Sequence, residues 1–292
     1  MRIAIFGKKL NENFNTVIYN LLSKLTDKGH HIYIYTPFYE FLKKHEISHF
    51  HAEGFFDHEH RLPDQIDFLI CIGGDGTFLD AITHIGPSCI PIVGINSGRL
   101  GFLANIAGSE VDLALEHLIA KNYSVEERSL IALKSSQTIF DEFPYALNDF
   151  TIRTTGPSLA TIHVSIDGNY LNSYWCDGII ISTPTGSTAY SLSLGGPIVT
   201  PYSHNFIITP IAAHNLNVRP LVIPDNATLK LTVEGRTDTF LATLDSRDVM
   251  CLNNNEITLS KASFFIRMIR LPQIDFYATL RNKLMWGADK RN

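Results

Sequence analysis

The residues with the clearest chemical meaning form a glycine-rich turn that contains an acid, Gly73-Gly74-Asp75-Gly76-Thr77. An apolar run precedes this turn, and a segment compatible with a helix, 78–85, follows it. Glycines let the backbone approach a ligand closely, and a helix N-terminus presents N–H groups and a partial positive charge that suit a phosphate. A carboxylate is unexpected in a loop that only holds phosphate. We therefore interpret Gly73, Gly74 and Thr77 as a phosphate loop and Asp75 as a reactive group beside it.

Three other kinds of turn fit this sequence less well. A tight strand-to-helix turn rarely needs three glycines around an acid. A dinucleotide-binding fingerprint would have its third glycine at position 79, which is Leu79. The phosphate loop that ends in Gly-Lys-Ser/Thr is absent here. A phosphate loop that carries its own carboxylate fits best.

Two further segments have residue types that suit a nucleotide. Segment 177–197 runs from a strand into a stretch rich in hydroxyl groups and then into a short helix, with Gly195-Gly196-Pro197 at its far side. Such a stretch offers many small donors and acceptors to sugars and phosphates, although Ser/Thr-rich segments are more often loops or caps. Asn148-Asp149 pairs an amide with a carboxylate, which can bind a base edge and a ribose hydroxyl, but taken alone it is more typical of a turn.

The elements that must position these residues differ along the chain. The first region, 1–124, alternates strands with helices and is predicted to be an α/β domain with a parallel, Rossmann-like sheet. In such sheets ligands bind beyond the carboxyl ends of the strands, so the loops 73–77 and 96–101 can face one site. Predicted strands are 2–6, 31–35, 68–72 and 90–95, and predicted helices are 13–28, 38–44, 78–85 and 111–121.

The second region, 125–272, has serial short strands and almost no helix, which predicts an all-β, sandwich-like domain. A C-terminal tail, 273–292, contains an amphipathic segment at 276–284 that we expect to be a helix packed on the first domain. The strands predicted in the second region are 130–134, 145–147, 150–153, 161–166, 170–175, 178–182, 206–209, 228–234, 240–244, 256–259 and 264–268.

Composition restricts the class of protein. The 292 residues are 45% hydrophobic and 18% charged, with a net charge of −5, which is typical of a soluble globular protein and argues against a general nucleic-acid or membrane-surface binder. No apolar run reaches the roughly 18–20 residues of a membrane helix, and four scattered cysteines suggest buried free thiols in the cytoplasm. A histidine-rich segment is expected to be a solvated insertion and not a metal site; its histidines are His45, His49, His51, His58 and His60.

Taken together, these motifs resemble the NAD kinase family of the bacterial type, from about residue 3 to residue 270. The Gly-Gly-Asp-Gly-Thr turn alone is also similar to that of diacylglycerol and sphingosine kinases and, more remotely, of phosphofructokinases. The run Thr183-Pro184-Thr185-Gly186-Ser187-Thr188-Ala189-Tyr190 makes the resemblance specific. It is supported by the segments 96–103 and 214–220 and by Asn148-Asp149.

The resemblance implies transfer of the γ-phosphoryl group of ATP to the 2′-hydroxyl of the adenosine ribose of NAD. It implies that Asp75 accepts the proton of the hydroxyl. It also implies that Mg²⁺ is carried by ATP, with no metal site formed by the protein itself, and that the protein assembles as a homodimer or homotetramer. Trp175 stands where relatives often have Arg or Lys, and Arg247, where some have Gln, is a candidate to compensate. The residues implied to contact NAD are Asp75, Gly76, Phe102, Asn148, Asp149, Asp177, Thr188, Ala189, Tyr190, Ser191, Leu192 and Ser193, with Trp175 and Arg247 as further candidates.

Two alternatives to an NAD kinase stay open at this stage. A lipid kinase would share the glycine turn, but the 177–197 run and the lack of an obvious apolar docking surface argue against it. A non-catalytic nucleotide sensor would keep the fold without the transfer. Asp75 argues against the sensor, whereas Trp175 leaves room for it.

Overall fold

The computed structural model describes residues 1–47, 50–156, 158–253 and 255–287, and the chain divides into two compact units. Unit 1 consists of Met1–Glu127 and Ile266–Asn292, and unit 2 consists of Arg128–Phe265. The chain therefore leaves unit 1 once and returns to it, so that the C-terminal residues belong to the same unit as the glycine turn.

Strands and helices alternate in the first stretch of unit 1, because runs buried on both faces are followed by segments with one apolar stripe. These elements are β1 (Arg2–Gly7), α1 (Asn15–Asp27), β2 (His31–Tyr35), α2 (Thr36–Lys44), β3 (Ala52–Phe56), β4 (Phe68–Ile72), α3 (Asp75–Ile85), β5 (Ile92–Asn96), β6 (Ile106–Ala107) and α4 (Val111–Ile119).

The strands of unit 1 form the parallel sheet that the sequence predicts, in the order β5-β4-β1-β2-β3, with β6 beside β5. β4 is fully buried and lies between β1 and β5. A single hydrophobic cluster includes Ile3, Ile70 and Ile95 from the sheet and Leu21 and Leu115 from the helices. The glycine turn thus leaves a central strand at the carboxyl edge, which is the ligand-binding edge of such sheets.

The sequence-based description of unit 1 differs from the structure most clearly in the histidine-rich segment. It also missed the short strand β6, and α3 begins at Asp75, three residues before the predicted start. The histidine-rich segment, interpreted as a solvated insertion, contains the edge strand β3, which pairs with β2. Alternate residues of β3 are exposed, and Gly54 interrupts it, so the segment lacks an apolar run. His60 donates from Nδ1 to Asp57 Oδ1 over 3.0 Å, and His49 lies outside the described residues.

The remaining elements are almost all strands, as the sequence predicts. They are β7 (Ser124–Ser135), β8 (Tyr145–Ala146), β9 (Asp149–Thr154), β10 (Ala160–Ile166), β11 (Asn169–Cys176), β12 (Gly178–Ser182), α5 (Tyr190–Ser193), β13 (Asn205–Ile211), β14 (Leu221–Pro224), β15 (Leu229–Gly235), β16 (Thr239–Leu244), β17 (Arg247–Leu252), β18 (Ile257–Arg270) and α6 (Phe276–Leu284).

Unit 2 is a sandwich of antiparallel strands. One sheet runs β14-β13-β12-β9-β16-β17, and in the other β11, β10, β15 and the first half of β18 are neighbours. The inner faces of both sheets contribute to one hydrophobic cluster, in which Phe150 and Ile181 come from the first sheet and Ile162, Leu231 and Leu259 from the second. This arrangement confirms the predicted all-β class.

Three details of unit 2 differ from the sequence-based prediction. Residues 256–259 and 264–268, predicted as two strands, belong to the single strand β18, whose polar centre resembles a turn in sequence. The strands β14 and β17 were not predicted. Both lie at the edges of their sheet, where alternating or polar residues give a weak signal.

Candidate active site

The glycine turn of unit 1 joins β4 to α3 in two residues. Gly73 has φ +154°, and a Cβ atom there would lie 2.4 Å from Thr77 Oγ1, so this position requires glycine. A Cβ atom at Gly74 or Gly76 would meet no protein atom within 4 Å. The glycines at these two positions therefore leave open space above the first turn of α3, where the N–H groups have no partner within the helix.

The Asp75 carboxylate does not point into free solvent but accepts hydrogen bonds from four donors. Its Oδ1 atom accepts the backbone N–H groups of Leu103 and Ala104, each at 3.0 Å. Its Oδ2 atom accepts the N–H of Phe102 at 2.9 Å and the ammonium of Lys283 at 3.2 Å. Asp75 thus connects the glycine turn, the loop after β5 and the C-terminal helix α6, all of which lie within unit 1.

The loop after β5 is shaped to present these three N–H groups. Asn96 donates from Nδ2 to the carbonyl oxygen of Ala104 at 3.3 Å and accepts the N–H of Gly98 at 2.6 Å. A Cβ atom at Gly94 would lie 2.6 Å from Ala104 Cα, and one at Gly101 would lie 1.9 Å from Asp75 Oδ1. The absence of side chains at both glycines therefore allows the loop to close over the carboxylate.

The helix α6 begins at a capping residue, since Asp275 accepts the N–H of Ala278 at 2.8 Å. Phe276, the first residue of α6, has its ring centroid 6.2 Å from that of Phe102. The Lys283 ammonium lies 4.7 Å from the centroid of the Phe102 ring, in the range of a cation–π contact. Phe102, a predicted NAD contact, is thus partly buried and lies against two residues of α6.

Unit 2 contains a cavity of about 320 Å³ that several predicted site residues line. Asn148, Asp149, Ala189 and Tyr190 were predicted to contact NAD, and all four border this cavity. The structure adds four lining residues that the sequence did not indicate, because the pairing of β9 with β16 brings them together. These are Thr151, Arg153, Thr243 and Asp245.

Asn148 and Asp149 are held in place by a second carboxylate. Asp245 accepts the backbone N–H groups of Leu147, Asn148 and Asp149 at 2.9, 2.7 and 3.2 Å. Burial raises the pKa of Asp149 to about 7, and the nearby charge of Asp245 adds to that shift. Burial also raises the pKa of Asp245, against the opposing effect of its three N–H donors. The cavity therefore contains a pair of carboxyl groups, of which Asp149 titrates near neutral pH.

The hydroxyl-rich run is used mainly to fix the backbone. Thr183 donates to the carbonyl oxygen of Leu147 and accepts the N–H of Gly186, and a Cβ atom at Gly186 would lie 2.1 Å from the carbonyl oxygen of Asn148. The Ser191 side chain is fully buried and bonded to Thr209, so its hydroxyl is already occupied. The run thus locks Ala189 and Tyr190 against the Asn148 segment, and Tyr190 remains 40% exposed.

The other predicted contacts do not line this cavity. Trp175 is exposed on β11; its backbone N–H donates to Asn215 Oδ1 at 3.1 Å, and the centroid of its ring lies 5.1 Å from that of His214. Asp177 joins β11 to β12, with its N–H bonded to Ile211. Arg247, which was expected to replace a cation near Trp175, donates instead to the carbonyl oxygens of Phe143 and Tyr145. Thr188, Leu192 and Ser193 lie in the segment that carries Ala189 and Tyr190.

The described residues contain neither a cluster suited to a metal ion nor a helix suited to a membrane. In residues 1–47, 50–156, 158–253 and 255–287, no group of three or more His, Cys, Asp or Glu side chains is arranged to hold a metal ion. No helix in these same ranges is both long and apolar enough to span a bilayer. The four cysteines are free thiols.

Comparisons with known proteins agree with this geometry. The ATP-NAD kinase N-terminal domain matches residues 3–123, and the ATP-NAD kinase C-terminal domain matches residues 147–271. The NAD kinase of Flavobacterium psychrophilum is 44% identical over 295 residues, and that of Bacteroides fragilis 40% over 292, each with 100% of both chains covered.

Solved structures are similar in fold. Yeast NADH kinase, complexed with NADH, has a TM-score of 0.85 at 21% identity, covering 99% of this chain and 88% of that one, which shows the fold alone. An NAD kinase from Archaeoglobus fulgidus, in complex with ATP, has a TM-score of 0.72 at 25% identity over 98% and 99% of the two chains.

The fold and the glycine turn with its carboxylate define a phosphotransferase enzyme built from an α/β unit and a β-sandwich unit. Both domain matches and the full-length relatives identify the family of this enzyme. The chain belongs to the ATP-NAD kinase family.

Proposed function

We propose that this enzyme transfers the γ-phosphoryl group of ATP to the 2′-hydroxyl of the adenosine ribose of NAD, producing NADP and ADP. The observation that carries the proposal is a carboxylate, Asp75, fixed at the start of a helix whose first turn is left open by Gly74 and Gly76. A helix start of this kind binds phosphate, and the acid beside it can accept the proton of an attacking hydroxyl.

In the proposed reaction the ribose 2′-oxygen attacks the γ-phosphorus, and its proton passes to the Asp75 carboxylate. The bond from the γ-phosphorus to the bridging oxygen breaks, and its electron pair leaves with ADP. Such transfers depend mostly on positioning and on stabilising charge, which we assign to the N–H groups of Gly74 and Thr77. Gly73, the third residue of the proposed phosphate loop, shapes the turn, because its own N–H donates to the carbonyl oxygen of Ile95 at 2.9 Å. The donor substrate is ATP as its magnesium complex, with the metal held by phosphate and water oxygens.

The residues of unit 2 are proposed to bind NAD. The Asn148 amide and the Asp149 carboxyl are suited to ribose hydroxyls, and Tyr190 can stack on a base. Gly76 and Phe102 of unit 1 are proposed to contact the adenosine side of NAD. The further proposed contacts are Asp177, Thr188, Ala189, Ser191, Leu192 and Ser193, with Trp175 and Arg247 as flanking residues.

Assembly and location are part of the proposal. On family resemblance, we propose a homodimer or homotetramer acting in the cytoplasm, with no nucleic-acid or membrane partner. Light scattering after size-exclusion chromatography measures the assembly directly, and a mass equal to one chain would contradict it.

The activity is tested by incubating the purified protein with ATP, Mg²⁺ and either NAD or diacylglycerol. We expect NADP with NAD and no product with the lipid. Asp75→Asn should retain NAD affinity in calorimetry and lower turnover by at least ~10²-fold, the usual contribution of a general base. NAD binding without NADP formation by the unaltered enzyme would support the sensor alternative, and unchanged turnover of Asp75→Asn would disprove the role of Asp75.

A further inference from the structure

The four donors around Asp75 use all the acceptor capacity of its carboxylate. A carboxylate has about four lone-pair sites, two on each oxygen. Oδ1 accepts from Leu103 and Ala104, and Oδ2 accepts from Phe102 and Lys283. An incoming hydroxyl group can therefore bond to Asp75 only if one of these donors leaves.

Three of the four donors are fixed by the fold. Leu103 and Ala104 are buried, and the Ala104 carbonyl oxygen accepts both the N–H of Gly101, at 2.9 Å, and the side-chain amide of Asn96. Releasing any of these backbone N–H groups would require opening the loop. Lys283 is different, since its ammonium is on a long flexible stem, and its side chain is 32% exposed.

We propose that Lys283 occupies the position on Asp75 Oδ2 that the acceptor hydroxyl of the substrate takes, and that its displaced ammonium binds the phosphoryl group in transfer. This inference rests on the proposed function. The Phe102 ring, 4.7 Å from Lys283 Nζ, keeps the ammonium near the reacting atoms after it leaves Asp75. The glycine turn has no lysine of its own, so α6 supplies the cation that a phosphate loop usually contains.

The reaction then proceeds with a balanced exchange of partners. The ribose hydroxyl replaces Lys283 at Oδ2 and gives its proton to the carboxylate as the new phosphorus–oxygen bond forms. The Lys283 ammonium donates a hydrogen bond to a γ-phosphoryl oxygen and keeps its own proton, while ADP leaves with the electron pair of the broken bond. Lys283 thus stabilises the negative charge that Asp75 would otherwise repel.

The test compares Lys283→Met with Arg281→Met, a matched control that removes a cation from the same last turn of α6 without touching Asp75. For Lys283→Met we expect kcat to fall at least ~10-fold, as for removal of a donor to a transition-state charge. We also expect NAD to bind as tightly as before or more tightly, because the ammonium no longer competes for Oδ2. Arg281→Met should keep kcat, and Lys283→Arg should recover part of it.

The outcomes separate this inference from the proposed function. If the unaltered enzyme forms no NADP, the function itself is wrong. If it forms NADP and Lys283→Met has the same kcat, or if Arg281→Met loses as much, the assignment of Lys283 is wrong and the function stands. If Lys283→Met unfolds early in a thermal melt, Lys283→Arg decides the question. If the kcat of Lys283→Arg falls only as far as its melting temperature does, and NAD affinity is lost in parallel, the role of Lys283 is merely structural.

Discussion

At the scale of single residues, the Asp149–Asp245 pair makes the stability of the protein depend on pH. The pKa of Asp149 is raised to about 7, chiefly by burial and secondarily by Asp245. Between pH 4, the approximate pKa of Asp149 in the unfolded chain, and pH 7, the folded state binds more protons than the unfolded state. The contribution of Asp149 to the free energy of unfolding is therefore present at low pH and is lost as the pH rises through about 7.

Asp149→Asn should remove this dependence while keeping the shape of the side chain. Relative to the unaltered protein, we expect the variant to gain free energy of unfolding between pH 5.5 and 8, with a slope of up to ~1.4 kcal/mol per pH unit. Urea denaturation at the two pH values measures it. Asp238→Asn, at an exposed position in the same unit, is the control. A slope equal to that of the unaltered protein would show that Asp149 is ionised throughout this range.

At the scale of elements, two glycines of the turn are expected to have different roles, since the fold requires Gly73, whereas Gly76 leaves space for a ligand. Gly76→Ala places a methyl group in open space within the first turn of α3. Because alanine favours a helix over glycine, we expect the free energy of unfolding to rise by up to ~1 kcal/mol, while the KM for a substrate rises because the methyl group occupies ligand space.

Gly73→Ala is the matched comparison, because its Cβ atom would collide with Thr77 at a backbone φ of +154°. We expect it to lose about 1–3 kcal/mol of stability through strain. Thermal melts and steady-state kinetics of both variants distinguish the two effects. If Gly76→Ala has unaltered kcat and KM for both ATP and NAD, the open space above α3 is not a ligand site.

The elements also show how far the sequence alone can lead. Strands buried on both faces, such as β4, and the amphipathic helix α6 were predicted with their observed bounds, because hydrophobic spacing determines both. Edge strands β3, β14 and β17 were missed, since one neighbouring strand is enough to form them and their residues are partly polar. The glycine turn was evident from residue types, whereas Lys283 was not, because only the folding of unit 1 brings a residue from α6 to Asp75.

At the scale of the whole molecule, each unit has its own hydrophobic core. Most of the proposed NAD contacts lie in unit 2, whereas the proposed phosphate loop for ATP lies in unit 1. Asp75 and the loop after β5 lie in unit 1, and the cavity beside Asp149 lies in unit 2. A ligand that binds only the folded state stabilises it by about 2.7 kcal/mol at a concentration one hundred times its Kd. Local protection from hydrogen exchange can therefore assign each substrate to a unit.

We expect NAD alone to slow amide exchange mainly at 147–149 and 183–193, because these segments carry Asn148, Asp149 and Tyr190 around the cavity of unit 2. A non-hydrolysable ATP analogue with Mg²⁺ should instead slow exchange at 73–78, where the N–H groups of the first turn of α3 are available to phosphate. Mass spectrometry of peptides from the full-length enzyme measures both, and β15, which carries none of the proposed contacts, is the internal control. Protection of 73–78 by the analogue combined with no protection of 147–149 by NAD would contradict the assignment of NAD to unit 2 while leaving the phosphate loop in place.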